Sequence, residues 1–405
     1  MKILVVSQYF YPESFRINDV CLGLIEKGHE VTVFTGLPNY PEGSFFEGYS
    51  YQGPYHENLG KIKIIRTPLI PRGKNKSLRL ILNYFSYFFC ATILAPFVVR
   101  GRFDKIFVYQ VSPVTVAIPA LFLKFLKKAP LILWVNDLWP ESLEATGTVK
   151  NKKILNLVGI LVSLIYKNSN KIFITSKGFT DQILRLGGSI DQITYFPQWA
   201  EELFSRKIDP SFEDNNIPKD GFKVMFAGNI GSSQDFETII KAAINLKEHK
   251  EIHFLILGDG LMKDWALEEV RKNKLEKTFH FLGRRPLNLM PEYYSKAQVM
   301  LMSLSSNFLF SITVPAKLQS YLASQKPIIA SMDGEGANIV EEWKAGIAVK
   351  ASEPKLLADA ILKMSKLSPL ELELMGQNAL ECSKKQFDRD ALLNMLIREL
   401  ESLKY

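Results

Sequence analysis

Two apolar, strand-length runs in the second half of the chain each break on a glycine turn. Residues 223–227 lead into Gly228-Asn229-Ile230-Gly231, and residues 253–257 lead into Gly258-Asp259-Gly260. Glycine lets backbone N–H groups approach an anion, and a helix expected from about residue 235 would add the positive end of its dipole. A diphosphate suits that chemistry, although glycine in such turns can equally be a steric need. Further along, Gly283 precedes Arg284, and Lys317 opens a helical segment after Val314-Pro315. In the first half, Glu13, Asp137 and Glu141 each stand just beyond an expected strand. Carboxylates at such places can orient or deprotonate a hydroxyl. Each can equally be a helix cap or a solvated surface charge.

Other polar residues carry less. His29 sits at the edge of an expected strand, where a structural role is expected. His249 and His253 are four apart, but His253 lies on a strand and no carboxylates join them. Asp388-Arg389-Asp390 opens the final helix, where the dipole favours Asp. No metal site is expected. Cys21, Cys90 and Cys382 show no CxxC spacing, which argues against a disulfide framework or a zinc site.

Short apolar strands alternate with amphipathic helical segments almost throughout, the pattern of parallel βαβ architecture. Strands are expected at 3–7, 31–35, 106–110, 131–135 and 171–176. A second series follows at 223–227, 253–257, 279–282, 299–303, 327–331 and 346–350. Between the two series the pattern loosens near 201–219. The fold class expected is α/β, with two doubly wound Rossmann-like domains facing across a cleft. The domains expected are residues 1–200 and 201–384. Residues 385–405 form a last helix expected to return to the first domain. Ligands of such sheets bind beyond the carboxyl ends of the strands. Neither glycine turn has the GxGxxG spacing of a dinucleotide fold.

The charge is uneven. Residues 1–205 hold 23 Lys+Arg against 15 Asp+Glu, a balance of +8, and residues 206–405 hold 27 of each. An anionic partner is therefore expected for the first half. Much of the excess lies in Lys61, Lys63, Arg66, Arg72, Lys74, Lys76, Arg79, Arg100 and Arg102. These flank residues 80–99, which carry no charge and are rich in aromatics, including Tyr84, Phe85, Tyr87, Phe88, Phe89 and Phe97. Length permits a membrane span, but βα neighbours on both sides favour a buried or membrane-facing helix. Met1-Lys2 runs straight into strand one without a signal-peptide pattern, so a cytoplasmic protein is expected.

The order of these elements resembles the GT-B fold, in particular the retaining glycosyltransferase family four. Tyr9-Phe10-Tyr11-Pro12-Glu13 and Gly36-Leu37-Pro38-Asn39-Tyr40-Pro41 look like the acceptor domain of bacterial members. Trp134-Val135-Asn136-Asp137-Leu138-Trp139-Pro140-Glu141-Ser142 is similar to a stretch in transferases that build O-antigen and capsule, including N-acetyl-fucosamine transferases.

The resemblance implies metal-independent transfer from a UDP-sugar, with retention, to a polyprenyl-diphosphate-linked sugar in bacterial lipopolysaccharide or capsule synthesis. The enzyme would be a hexosyltransferase docked on the inner face of the plasma membrane, with no nucleic-acid partner and no cofactor beyond the donor. Gly228, Asn229, Ile230, Gly231, Gly258, Gly283, Arg284 and Lys317 would hold the donor, and Asp137, Glu13 and Glu141 would serve the acceptor. Departures are visible. Ser320 and Ile312 stand where many members carry glutamates, Gln234 where many carry a lysine, and Asn136-Asp137 where many carry a histidine. A UDP-sugar 2-epimerase and a non-catalytic glycan- or nucleotide-binding protein are the alternatives.

Overall fold

The computed structural model describes residues 1–73, 77–145, 149 and 151–404. It divides into two compact units, one of Met1–Pro197 with Asp390–Tyr405 and the other of Gln198–Arg389.

The first unit is built on eight strands: β1 (Lys2–Val6), β2 (Glu30–Gly36), β3 (His56–Leu59), β4 (Ile62–Thr67), β5 (Lys105–Gln110), β6 (Leu131–Val135), β7 (Lys171–Ile174) and β8 (Ile193–Tyr195). They lie in the order β3-β4-β2-β1-β5-β6-β7-β8. All pairings are parallel except β3 with β4. Strands β5 and β6 are buried along their whole length, as parallel strands covered on both faces must be. The final helix, Arg389–Ser402, belongs mostly to this unit. Its Leu393 packs on Gly23, Glu399 pairs with Lys171 at 3.5 Å, and the Leu403 carbonyl just beyond it accepts from Lys105.

The second unit holds β9 (Phe222–Ala227), β10 (Ile252–Leu257), β11 (Phe279–Gly283), β12 (Val299–Ser303), β13 (Ile328–Ser331) and β14 (Gly346–Val349). Their order is β11-β10-β9-β12-β13-β14, all parallel. In both sheets the strand order reverses beside the first strand, between β1 and β5 and between β9 and β12. Ligands of open α/β sheets bind outside the carboxyl ends of the strands at such points.

The sequence pattern misses β3, β4 and β8. Strand β3 is a short antiparallel edge strand rich in polar residues, and β8 has only three residues, so neither shows apolar periodicity. The uncharged stretch forms the helix Ser77–Val98. By length and composition it could cross a membrane. However, it buries Asn83, Tyr87, Ala91 and Ala95 at four-residue spacing against the unit. The Tyr87 hydroxyl donates to the Ser7 carbonyl at 3.2 Å, and Asn83 donates to the Ile70 carbonyl at 2.7 Å. It is a one-sided packed helix.

Candidate functional site

In the second unit the two glycine turns lock together. The Gly228 N–H donates to the Leu257 carbonyl at 2.8 Å, and Ile230 N–H to the Asp259 carbonyl at 2.9 Å. Gly258 has φ +140°, and a Cβ added there would stand 1.8 Å from the Gly228 carbonyl oxygen. No other residue fits without separating the turns. Ile230, expected at the donor, is instead a core residue: its side chain is buried and its N–H is spent. The amides of Asn229 and Gly231 make no backbone bond among the described residues.

The helix after the turn also differs from expectation. It runs Phe236–Asn245, and Asp235 caps it, accepting from Thr238 N–H at 3.3 Å. A carboxylate already occupies that helix terminus, so Lys317 becomes the main source of positive charge. Its ammonium would lie 3.3 Å from a Cβ at Gly228, is 4.3 Å from the centre of the Phe226 ring and donates to Gln234. Gln234 is the position where the resemblance expects a lysine, so Lys317 supplies the charge from across the turn. Burial among these groups pushes the Lys317 pKa down to about 7.

Gly228, Asn229, Gly258 and Arg284 line one pocket of about 410 Å3, together with Asp259, Met290 and Tyr294. Arg284 is exposed at its edge. Arg285 is engaged by Asp214 at 3.1 Å. Gly283, expected at the donor, ends β11 with φ +72° and nothing within 4 Å of where a Cβ would stand; it precedes Arg284 but does not itself line the pocket. Ser320 Oγ donates to Glu201 Oε2 at 3.1 Å, so a carboxylate from another segment stands beside the serine.

In the first unit, the acceptor candidates gather at the carboxyl ends of β1, β2, β5 and β6. Glu13 is 1% exposed and accepts backbone N–H bonds from Phe10 at 3.1 Å and from Asn39 and Tyr40 at 2.8 Å each. Burial lifts its pKa to about 7 against the pull of those three bonds. It ties two loops together through those bonds. Asp137 Oδ2 accepts from Ser112 N–H at 2.9 Å and Ser112 Oγ at 2.8 Å, and Ser112 Oγ in turn accepts from Trp139 Nε1 at 3.1 Å. Burial raises the Asp137 pKa. Glu141 is held by Arg185 at 2.8 Å. His29 lies 3.2 Å from the Met1 ammonium, the structural role expected for it.

Aromatic residues that sequence reasoning left unassigned stand among these carboxylates. Phe15 stacks on Tyr9 at 4.9 Å and meets Tyr40 at 5.2 Å, and Arg72 lies 4.8 Å from the centre of the Tyr40 ring. Tyr84 is half-buried, and burial raises its pKa. The signal was the tyrosine in each of the motifs Tyr9–Glu13 and Gly36–Pro41. Asp137 clamps Ser112 and, through the Ser112 hydroxyl, Trp139. We expect Asp137→Asn to cost about 1–2 kcal/mol of stability and to leave UDP affinity intact. An unchanged melting temperature would remove the clamp.

Comparison with known proteins bears on this geometry directly. Residues 207–381 match the family model described as Glycosyl transferases group 1. That segment contains both glycine turns, Arg284 and Lys317. Over its whole length the chain is similar to an Escherichia coli (strain K12) protein, WcaI, described as a colanic acid biosynthesis glycosyl transferase. The identity is 23%, covering 99% of this chain and 100% of that one. A Pseudomonas aeruginosa protein, WbjE, described as a glycosyltransferase, is 26% identical over 69% of this chain and 72% of its own. Among solved structures, Anabaena HepE in complex with UDP superposes with a TM-score of 0.70 at 16% identity, each chain covered fully. The fold is therefore the two-domain GT-B type, and the sequence matches support glycosyl transfer. Among the described residues no group of three or more His, Cys, Asp or Glu gathers as a metal site.

Proposed function

We propose that this protein is a retaining hexosyltransferase that moves a sugar, of the N-acetylated amino type, from a UDP-sugar to a prenyl-diphosphate-linked acceptor in bacterial surface polysaccharide synthesis. The carrying observation is the pocket at Gly228, Gly258 and Arg284, with Lys317 beside it, inside the segment that matches the glycosyl transferase family. UDP bound to HepE supports a uridine nucleotide as donor. In a metal-independent transfer, the leaving diphosphate needs fixed donors; Lys317, Arg284 and the free amides of Asn229 and Gly231 supply them. Colanic acid in the description of WcaI supports the polysaccharide setting.

The acceptor half of this reading includes docking on the cytoplasmic face of a bacterial inner membrane. Helices Ser77–Val98, Ala117–Lys127 and Lys152–Asn168 contain no Asp or Glu. The first packs beside the second, and the second beside the third. Their outward residues include Phe85, Phe89, Phe97, Phe125 and Leu157, with Phe97 68% exposed. No acidic residue falls between Glu57 and Asp104, and basic residues bracket the first helix. Arg66 leaves that set: it is 2% exposed and bound to Glu57 and the Gly36 carbonyl. Lys74 and Lys76 lie outside the described residues. Aromatic and basic groups together suit a headgroup region, each basic residue there adding about 1 kcal/mol.

Vesicle sedimentation tests the docking. The protein should bind vesicles containing anionic lipid, and Phe85→Ser with Phe89→Ser and Phe97→Ser should weaken binding at least tenfold without changing UDP affinity. Equal binding by that triple variant would overturn the membrane face.

A further inference from the structure

The first unit also carries an open groove, with Glu141 in its lining, of about 980 Å3, at the upper end of the roughly 300–1,000 Å3 usual for ligand pockets. One wall is a continuous stripe of the helix Lys152–Asn168, whose residues 152, 155, 156, 159, 160, 163, 164 and 167 recur at three- and four-residue spacing. Pro140 and Glu141, which directly follow Trp139, complete the lining together with Arg185 and Leu186. The apolar part of the lining is Leu155, Ile160, Leu164, Leu186 and Pro140.

Gly159 lies at the middle of the stripe. A mid-helix glycine destabilises a helix relative to alanine. Nothing in the packing requires one here. An added Cβ would meet only Leu186 Cδ2, at 3.8 Å, and the position has no left-handed φ. What the missing side chain does is keep the groove open at its centre. From Leu155 to Leu164 the stripe runs about 14 Å along the helix. Ile160 and Leu164 are exposed there and continue the apolar outer face of the same helix. Lys152 and Lys167 stand at its two ends, and the one guanidinium, Arg185, is already balanced by Glu141 at 2.8 Å.

We propose that this groove holds the prenyl chain of the acceptor, with the chain lying along Leu155, Gly159, Ile160 and Leu164 and its diphosphate taken by Lys152 beside the Trp139-Pro140-Glu141 segment. The inference rests on the reading of the acceptor as prenyl-diphosphate-linked. Three features carry it: an apolar slot of chain-like length, a lysine where a helix begins, and continuity with the exposed apolar face. Lys152 lies in the first turn of its helix, where the dipole also favours an anion.

Farnesyl diphosphate, titrated into the full-length protein below its micelle concentration, is the probe. Binding is expected, and inorganic diphosphate should not displace it at equal concentration. Gly159→Leu should fill the groove and weaken farnesyl diphosphate at least tenfold, and Leu164→Glu, at an exposed position, should do the same by charging its lining. Both variants should keep UDP affinity, and Gly159→Leu should keep vesicle binding as well. Loss of farnesyl diphosphate binding in neither variant, absence of binding to the wild type, or displacement by inorganic diphosphate alone would each overturn the groove. The acceptor reading fails separately, where the wild type transfers no sugar to any prenyl-diphosphate-linked acceptor while farnesyl diphosphate still binds.

Discussion

Lys317→Ala should lower turnover with a UDP-sugar by tenfold or more and weaken UDP by a similar factor. A hydrogen bond to a charged phosphate contributes on the order of 1.5–3 kcal/mol, and a factor of ten is about 1.4 kcal/mol. No second lysine stands at the turn to compensate, because Gln234 occupies that place and is itself bonded to Lys317. The pH dependence is specific to this residue. Burial holds the free ammonium near a pKa of about 7, so above that pH the empty site is largely neutral. A diphosphate favours the charged form and raises the pKa. UDP binding at about pH 8 should therefore take up a proton, and binding below about pH 6, where the lysine is already charged, should not. Calorimetry in two buffers of different ionisation enthalpy measures the uptake. Lys317→Ala should abolish it. Retained uptake in that variant would place the titrating group elsewhere.

Gly258→Ala should have the second large effect. The added Cβ meets the Gly228 carbonyl oxygen at 1.8 Å, and φ of +140° is itself poor for alanine. Backbone cannot rotate away as a side chain can, so the turns that line the pocket must part. Overpacking of this kind costs typically 1–3 kcal/mol and the backbone conformation adds about 1 kcal/mol more. For a unit of this size that lowers the melting temperature by several degrees. UDP affinity should fall with it, since Gly228 and Gly258 line the same pocket. Gly283→Ala is the control. It has φ +72° with nothing within 4 Å of the added atom, so it bears the backbone cost alone. Equal effects of the two substitutions on UDP binding would show that the interlocked turns do not shape the site.

Much of the second unit was legible because its signals are local. A buried parallel strand reads as a continuous apolar run, and a glycine turn at its end is visible without knowing the partner strand. Hence β9, β10 and β12 fall within a residue of expectation, and Gly228, Gly258 and Arg284 line one pocket. What stayed hidden depends on contacts far apart in sequence. Ile230 reads as part of an anion turn, yet the neighbouring strand's turn takes its N–H. Asp235 reads as the first helical residue, yet it caps the helix and occupies the terminus that an anion would use. Glu13 reads as a free carboxylate because its three partners lie on two separate loops. Arg66 reads as a surface cation for the same reason: its partner, Glu57, lies on a strand that the pattern misses. The groove at Gly159 was invisible as well, since one glycine in an apolar helix announces nothing until the rest of the lining is known.

The most direct test of the central claim is product analysis with labelled UDP-sugars. The purified protein is incubated with a panel of UDP-N-acetylhexosamines and a prenyl-diphosphate-linked sugar, and the lipid and nucleotide fractions are separated. The expected result is label moved to the lipid fraction with release of UDP, lost in Lys317→Ala. Label that stays on the nucleotide as an epimer, or nucleotide that binds and is never cleaved with any acceptor, would contradict glycosyl transfer.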